Sequence, residues 1–155
     1  MLSRGCVQIG APRTHVRSVT FLYTLSIVIH GFAQGYVQHW SYVYFTIWNY
    51  TTVVVVFGLL LAHSAFQSVP RWLTCLTWTL FQIELTNALL LDCIFWLLLY
   101  DGCGLEFVMV NVHGINALFI LTEFGLNKMV LARGQAIFVV IYAVVCGTFD
   151  IIFFF

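Results

Sequence analysis

The chain has 155 residues, 62% of them hydrophobic and 8% charged, and its six basic and six acidic residues balance to zero. That composition excludes a nucleic-acid-binding protein, which needs a basic face, and leaves too few polar residues for a separate soluble domain beside a membrane bundle. It predicts a single all-α transmembrane domain over residues 1–155.

Arg4, Arg13 and Arg17 occupy the first 17 residues with no acid among them. No small-residue cleavage site follows, which argues against a cleaved secretory signal. Five apolar runs come next, at about 18–37, 41–63, 72–100, 106–124 and 134–155. Each is near or above the roughly 20 residues that carry a helix across about 30 Å of hydrocarbon. The third is the longest, about 45 Å as a helix, and must tilt or protrude. The connections around 38–40, 65–71, 101–104 and 125–133 are short, which makes neighbouring helices antiparallel.

The basic residues sort onto one side of this arrangement. Arg71 lies between the second and third runs, and Lys128 and Arg133 lie between the fourth and fifth. The other two loops carry no Lys or Arg, so the positive-inside rule predicts a cytoplasmic N-terminus and a C-terminus on the opposite face. The endoplasmic reticulum or plasma membrane is the expected location. The mitochondrial inner membrane is an alternative, because an Arg-rich, acid-free leader resembles a presequence. Tyr36, Trp40, Tyr42, Tyr44, Trp96 and Tyr100 gather at the outer ends of the spans as an interfacial belt. Asn49-Tyr50-Thr51 has the form of a glycosylation sequon but lies within a span.

The five cysteines, Cys6, Cys75, Cys93, Cys103 and Cys146, have no metal-site spacing and read as small apolar residues. No metal or other cofactor is expected. His30 and His113 fall at matching depth, the minimum for axial haem ligation, but no further signature accompanies them.

Polar residues inside a bilayer are costly, and each is a functional candidate. Here they are His30, Thr46, Asn49, Glu84, Asn87, Asp92, His113, Asn116, Glu123 and Asp150. At 1.5 Å per residue, Thr46 lies about 7 Å below the start of the second span and His113 about 10 Å below the start of the fourth. Asp92 lies about 13 Å below Asp101 on the third span, in the same layer. A hydroxyl, an imidazole and a carboxylate at one depth suit nucleophilic catalysis, in which a His takes the hydroxyl proton and an acid orients the His. The structural alternatives are a Thr46 hydroxyl bonded to its own helix and a His113 bonded between helices. Glu84 and Asp92 are expected to be neutralised by protonation or by partners within the bundle. Glu123, one turn from Lys128, reads as an interfacial residue at the cytoplasmic side.

Two segments resemble the androgen-induced protein family, which includes the androgen-dependent TFPI-regulating protein and whose multi-pass members hydrolyse fatty acid esters of hydroxy fatty acids. Phe45-Thr46-Ile47-Trp48-Asn49 with Phe57-Gly58 is similar to the family's segment around its nucleophilic threonine. His113, with Leu118-Phe119-Ile120-Leu121-Thr122-Glu123 following, is similar to its catalytic histidine segment, and Phe95-Trp96 with Tyr100-Asp101 to the end of its third span. The resemblance covers about two thirds of the chain. It implies Thr46 as nucleophile, His113 as base and a membrane lipid or fatty acyl ester as substrate. Asn49, Asn116 and Asp92 are then oxyanion or orienting candidates.

His113-Gly114-Ile115-Asn116 also resembles the related Rolling stone group of fusion-associated membrane proteins. The chain departs from the hydrolase pattern at Val110, where the family commonly has a second His, and its third span is about two turns longer. The family usually has six spans, whereas this chain stops inside the fifth. The alternative expectation is therefore a non-catalytic membrane protein, an accessory subunit or a fusion or scaffold protein. Such a protein would complete its bundle with a membrane-protein partner.

Overall fold

A run of apolar side chains in hydrocarbon must satisfy its backbone internally, and a helix is the local way to do so. The computed structural model describes residues 14–33, 45–66, 68–100, 102, 104, 107–127, 134 and 136–154, and the described secondary structure is helical throughout. Helix α1 spans Thr14–Ala33 and α2 spans Phe45–Ala65. Helix α3 spans Arg71–Ile94 and continues as a π-helical turn over Phe95–Leu99. Helix α4 (Phe107–Val110) leads through a second π turn, Asn111–Ile115, into α5 (Asn116–Leu126). Helix α6 covers Ala136–Phe154.

Four helical segments among the described residues, Thr14–Ala33, Ile47–Ala65, Arg71–Leu98 and Phe107–Leu126, are long and apolar enough to cross a membrane. The apolar α6 lies where the fifth run was expected. Helix α1 begins four residues earlier than its apolar run, so Arg17 lies inside the helix.

The packing is that of a membrane bundle. Helix α1 buries Arg17, Thr20, Thr24, Ile27 and Gly31, spaced three or four apart on one face. Its exposed face carries Val16, Val19, Leu22, Ile29 and Phe32. Small and polar groups inside with large apolar groups outside is the arrangement lipid favours. The interior threonines bond back to their own helices, Thr20 Oγ1 to the Val16 carbonyl at 3.0 Å and Thr77 Oγ1 to Leu73 at 2.8 Å. Helices α1, α2, α3 and α5 pack in sequence, α1 reaching α5 through the side chains of Arg17 with Glu123 and Tyr23 with Phe119, and α6 lies outside against α2 and α3.

The apolar core is formed by Val53, Val56, Phe57 and Leu60 of α2, Phe81 and Leu85 of α3, and Ile120 of α5. Gly58 lets α1 approach α2, for a Cβ there would stand 3.2 Å from the Phe21 ring. Between the third and fourth spans, Gly102 and Gly104 take φ of 85° and 50°, a left-handed turn that glycine adopts without steric cost.

Candidate functional site

Three polar assemblies interrupt this apolar interior. The first lies where the two π turns meet. A π turn inserts an extra residue into the helical ladder and leaves backbone groups without their usual partners. His113, within the second π turn, has φ −115° and ψ 30°, outside the helical region. Side chains supply the missing partners. Trp96 Nε1, from the first π turn, donates to the His113 carbonyl. Asn111 Nδ2 donates to the Phe107 carbonyl at 2.7 Å and Asn111 Oδ1 accepts from the Tyr23 hydroxyl at 2.5 Å, which ties α1 to this point.

The His113 imidazole lies flat on Phe95, with ring centroids 3.9 Å apart and planes 4° apart. Its Nδ1 is buried with no hydrogen-bond partner among the described residues. Asp92 is one turn before Phe95 and Trp96 on α3, and Asn116 is the first residue of α5, one turn after His113. Each has a buried Oδ1 without a partner among the described residues. Asp92 and His113 thus stand on facing helices, but no hydrogen bond joins them among the described residues. Gly114 adds little bulk beside this junction, and a Cβ there would lie 3.9 Å from the Trp96 ring.

Thr46 is the second residue of α2; its side chain lies outside the described part of the structure. Tyr50, one turn or about 6 Å further along α2, packs with Val112, the neighbour of His113. An apolar crevice of about 60 Å³ lies at this contact, lined by Ile27, Gly31, Ile47, Tyr50, Val108 and Val112 among others. The sequence neighbours of Thr46 and His113, Ile47 and Val112, therefore share one crevice. Asn49 does not join them, since its amide faces Glu84 of α3 instead. His30 meets the edge of Phe107 at 6.0 Å between centroids, so the two histidines matched in depth take different aromatic partners.

The second assembly is buried beside the core. Asn49, Glu84 and Asn87 are 2%, 0% and 1% exposed. Both Glu84 carboxylate oxygens, Asn49 Oδ1 and both polar atoms of Asn87 have no partner within hydrogen-bond distance among the described residues.

The third assembly, at the opposite end from His113, was not foreseen from sequence. Arg17 is 2% exposed and pairs with Glu123, 3% exposed, at 2.7 Å. Its Nε donates to Glu123 Oε1 at 2.8 Å, and its terminal nitrogens donate to Ser64 Oγ at 2.5 Å, the Leu60 carbonyl at 3.3 Å and Asn127 Oδ1 at 2.8 Å. Asn127 Nδ2 donates to Glu123 in turn. Glu123 is therefore a buried partner of α1, where an interfacial residue near Lys128 was expected, and Arg17 is neutralised inside the bundle. Nearby, His63 Nε2 and Thr77 Oγ1 share a hydrogen bond of 3.0 Å between α2 and α3.

Of the cysteines, Cys75 and Cys93 are free, and no group of His, Cys, Asp and Glu with metal-site geometry occurs among the described residues. Asp150 belongs to α6, but its side chain lies outside the described residues. No protein-family model matches the chain, and no curated protein or solved structure matches it.

Proposed function

We propose that the protein is a membrane-embedded hydrolase of lipid esters, of the fatty acid ester of hydroxy fatty acid type, with Thr46 as nucleophile and His113 as general base. The observation that carries this reading is the His113 junction. The imidazole, with a ring nitrogen that has no partner among the described residues, stacks on Phe95 while Trp96 holds the His113 backbone carbonyl at a non-helical turn, beside an apolar crevice that also reaches the start of α2. Backbone irregularity of this kind concentrates at functional sites in helices.

In the reaction, the Thr46 oxygen bonds to the ester carbonyl carbon as its proton passes to His113. The C–O bond to the alcohol then breaks, and His113 returns the proton to the departing oxygen. Water attacks the acyl-threonine, again giving its proton to His113, and the fatty acid leaves as the proton returns to Thr46. In this reading the Asn116 side-chain N–H, one turn from His113, stabilises the oxyanion, and donors of this kind act strongly where water is excluded. The apolar crevice, at about 60 Å³, takes only the ester end of the substrate, and the acyl chain stays in the bilayer. Asp92, on the facing helix, orients His113 in this reading only after a side-chain turn, since no hydrogen bond joins the two among the described residues.

The sorting of Lys and Arg along the sequence favours a cytoplasmic N-terminus, and the membrane in this reading is that of the endoplasmic reticulum or the cell surface. The test is hydrolysis of a fatty acid ester of a hydroxy fatty acid by purified protein. Thr46→Ala and His113→Phe are each expected to abolish turnover while leaving a folded bundle. Full activity in Thr46→Ala excludes the reading.

A second reading is an accessory subunit or scaffold. It is favoured by α6, whose Ile137, Val140, Ile141, Val144 and Val145 all face outward, a surface a partner helix could cover as well as lipid. A stoichiometric membrane partner, with no change on altering Thr46 or His113, would support it.

A further inference from the structure

Helix α1 packs chiefly on α2, and α5 on α3. Across the gap from α1 to α5, long side chains make contact at two levels. Arg17 reaches Glu123 at 2.7 Å, and the edge of Tyr23 meets Phe119 at 5.5 Å between ring centroids. Beside these two rungs a groove of about 410 Å³ remains, lined by Val16, Val19, Phe57, Phe119, Thr122 and Glu123 among others. That volume lies in the range of small-molecule sites. Phe57, from the apolar core, is its floor, and the exposed Val16 and Val19 are one wall. His15, exposed at the start of α1, stands at its mouth. Both flanking segments, Thr14–Ala33 and Phe107–Leu126, are apolar enough to cross a membrane. A groove open sideways between two such helices meets hydrocarbon, so a membrane lipid is the molecule that reaches it.

The polar atoms beyond His15 select among lipids. The Thr20 and Thr122 hydroxyls donate to the Val16 and Leu118 carbonyls of their own helices. Arg17 Nε and Asn127 Nδ2 both donate to Glu123 Oε1, and Oε2 has no partner among the described residues. A carboxylate oxygen can only accept. It repels a fatty acid carboxylate or a lipid phosphate, and the ester carbonyls of an acylglycerol find no donor beside it. A sterol brings one hydroxyl donor and no other polar atom, which matches one open acceptor in an apolar groove. The depth agrees as well. Arg17 is one turn after the start of α1, and Glu123 is one turn before the end of α5. Both are near the interface, where a sterol hydroxyl lies, and the groove runs inward from them to the Tyr23–Phe119 rung.

We propose that the α1–α5 groove binds one sterol molecule, its hydroxyl donating to Glu123 Oε2 and its rings packed on Phe57 and Phe119. The site lies at the opposite end of the bundle from the His113 junction and does not depend on the hydrolase reading.

The experiment is labelling of the purified full-length protein, in phosphatidylcholine nanodiscs, by a sterol that carries a photoreactive diazirine in its ring system. The expected result is saturable labelling of peptides from α1 and α5, competed by the unlabelled sterol. The methyl ether of that sterol, which has no donor, should compete about tenfold or more weakly, because a hydrogen bond to a charged group is lost. Val19→Trp and Thr122→Trp fill the groove from its two walls and should abolish the labelling. Val140→Trp, on the outward face of α6, should leave it unchanged. Each variant is first shown to be folded.

Labelling that does not saturate, that persists in both groove variants, or that the methyl ether competes as well as the free sterol would overturn the proposal. Stronger competition by a monoacylglycerol than by the sterol would overturn it in favour of an acyl lipid. If one groove variant does not fold, the other and the methyl ether decide the matter.

Discussion

Replacing Arg17 with Met keeps the apolar length of the side chain and removes the guanidinium. The change breaks the 2.7 Å pair with Glu123 and the hydrogen bonds to Ser64, Leu60 and Asn127. Glu123, 3% exposed, is then left as a buried carboxylate with only Asn127 donating to it. Breaking one side of a buried pair costs about 3–5 kcal/mol, because the remaining charge is unpaired. Glu123→Gln has the opposite defect, an unpaired guanidinium, and a similar cost of about 3–5 kcal/mol.

The double variant removes both charges, and its loss should fall to about 2 kcal/mol or less, since a neutral pair of similar volume is often well tolerated. The four proteins form a double-mutant cycle, read by equilibrium unfolding in mixed micelles with tryptophan fluorescence. Strong non-additivity, with the double variant more stable than either single one, is the expected outcome. Arg17→Met within about 1 kcal/mol of wild type, the range of an exposed pair, would refute the reasoning. It would mean that the guanidinium is hydrated at the membrane surface.

Three further outcomes follow from the packing. Trp96→Phe removes the donor to the His113 carbonyl and should cost about 1 kcal/mol, with a larger relative fall in ester turnover than in unfolding free energy. Gly58→Leu should weaken the α1–α2 contact severely, since even a Cβ stands 3.2 Å from Phe21, and loss of the folded species on size-exclusion chromatography would report it. Thr77→Val removes the bond to His63 and should lower stability by about 1 kcal/mol, the scale of a hydrogen bond between membrane helices.

The helices were legible because hydrocarbon leaves an apolar run little alternative, and the expected spans agree with α1–α6 to within a few residues wherever the chain is described. The Arg17–Glu123 pair was not legible. Its members are 106 residues apart, and the nearer basic residue in sequence, Lys128, offered a local reading. The start of α1 was displaced for the same reason. A charged residue ends an apolar run in sequence, whereas an acid on another helix lets it enter the bundle.

The π turns also escaped notice, since widening a helix by one residue needs no distinctive residue type. The nearest signals were Gly114 beside His113 and the aromatic pair Phe95-Trp96. Depth alone placed His113 and Asp92 in one layer. Depth could not show that Asn49 turns to Glu84, because that depends on rotation about the α2 axis.

The most direct test of the His113 junction as a catalytic centre is covalent labelling of the membrane protein by a fluorophosphonate probe. Wild type is compared with Thr46→Ala and His113→Phe, each first shown to be folded. Labelling of wild type, lost in both variants, is the predicted result. A folded wild type that takes no label, or label that persists in Thr46→Ala, would contradict it.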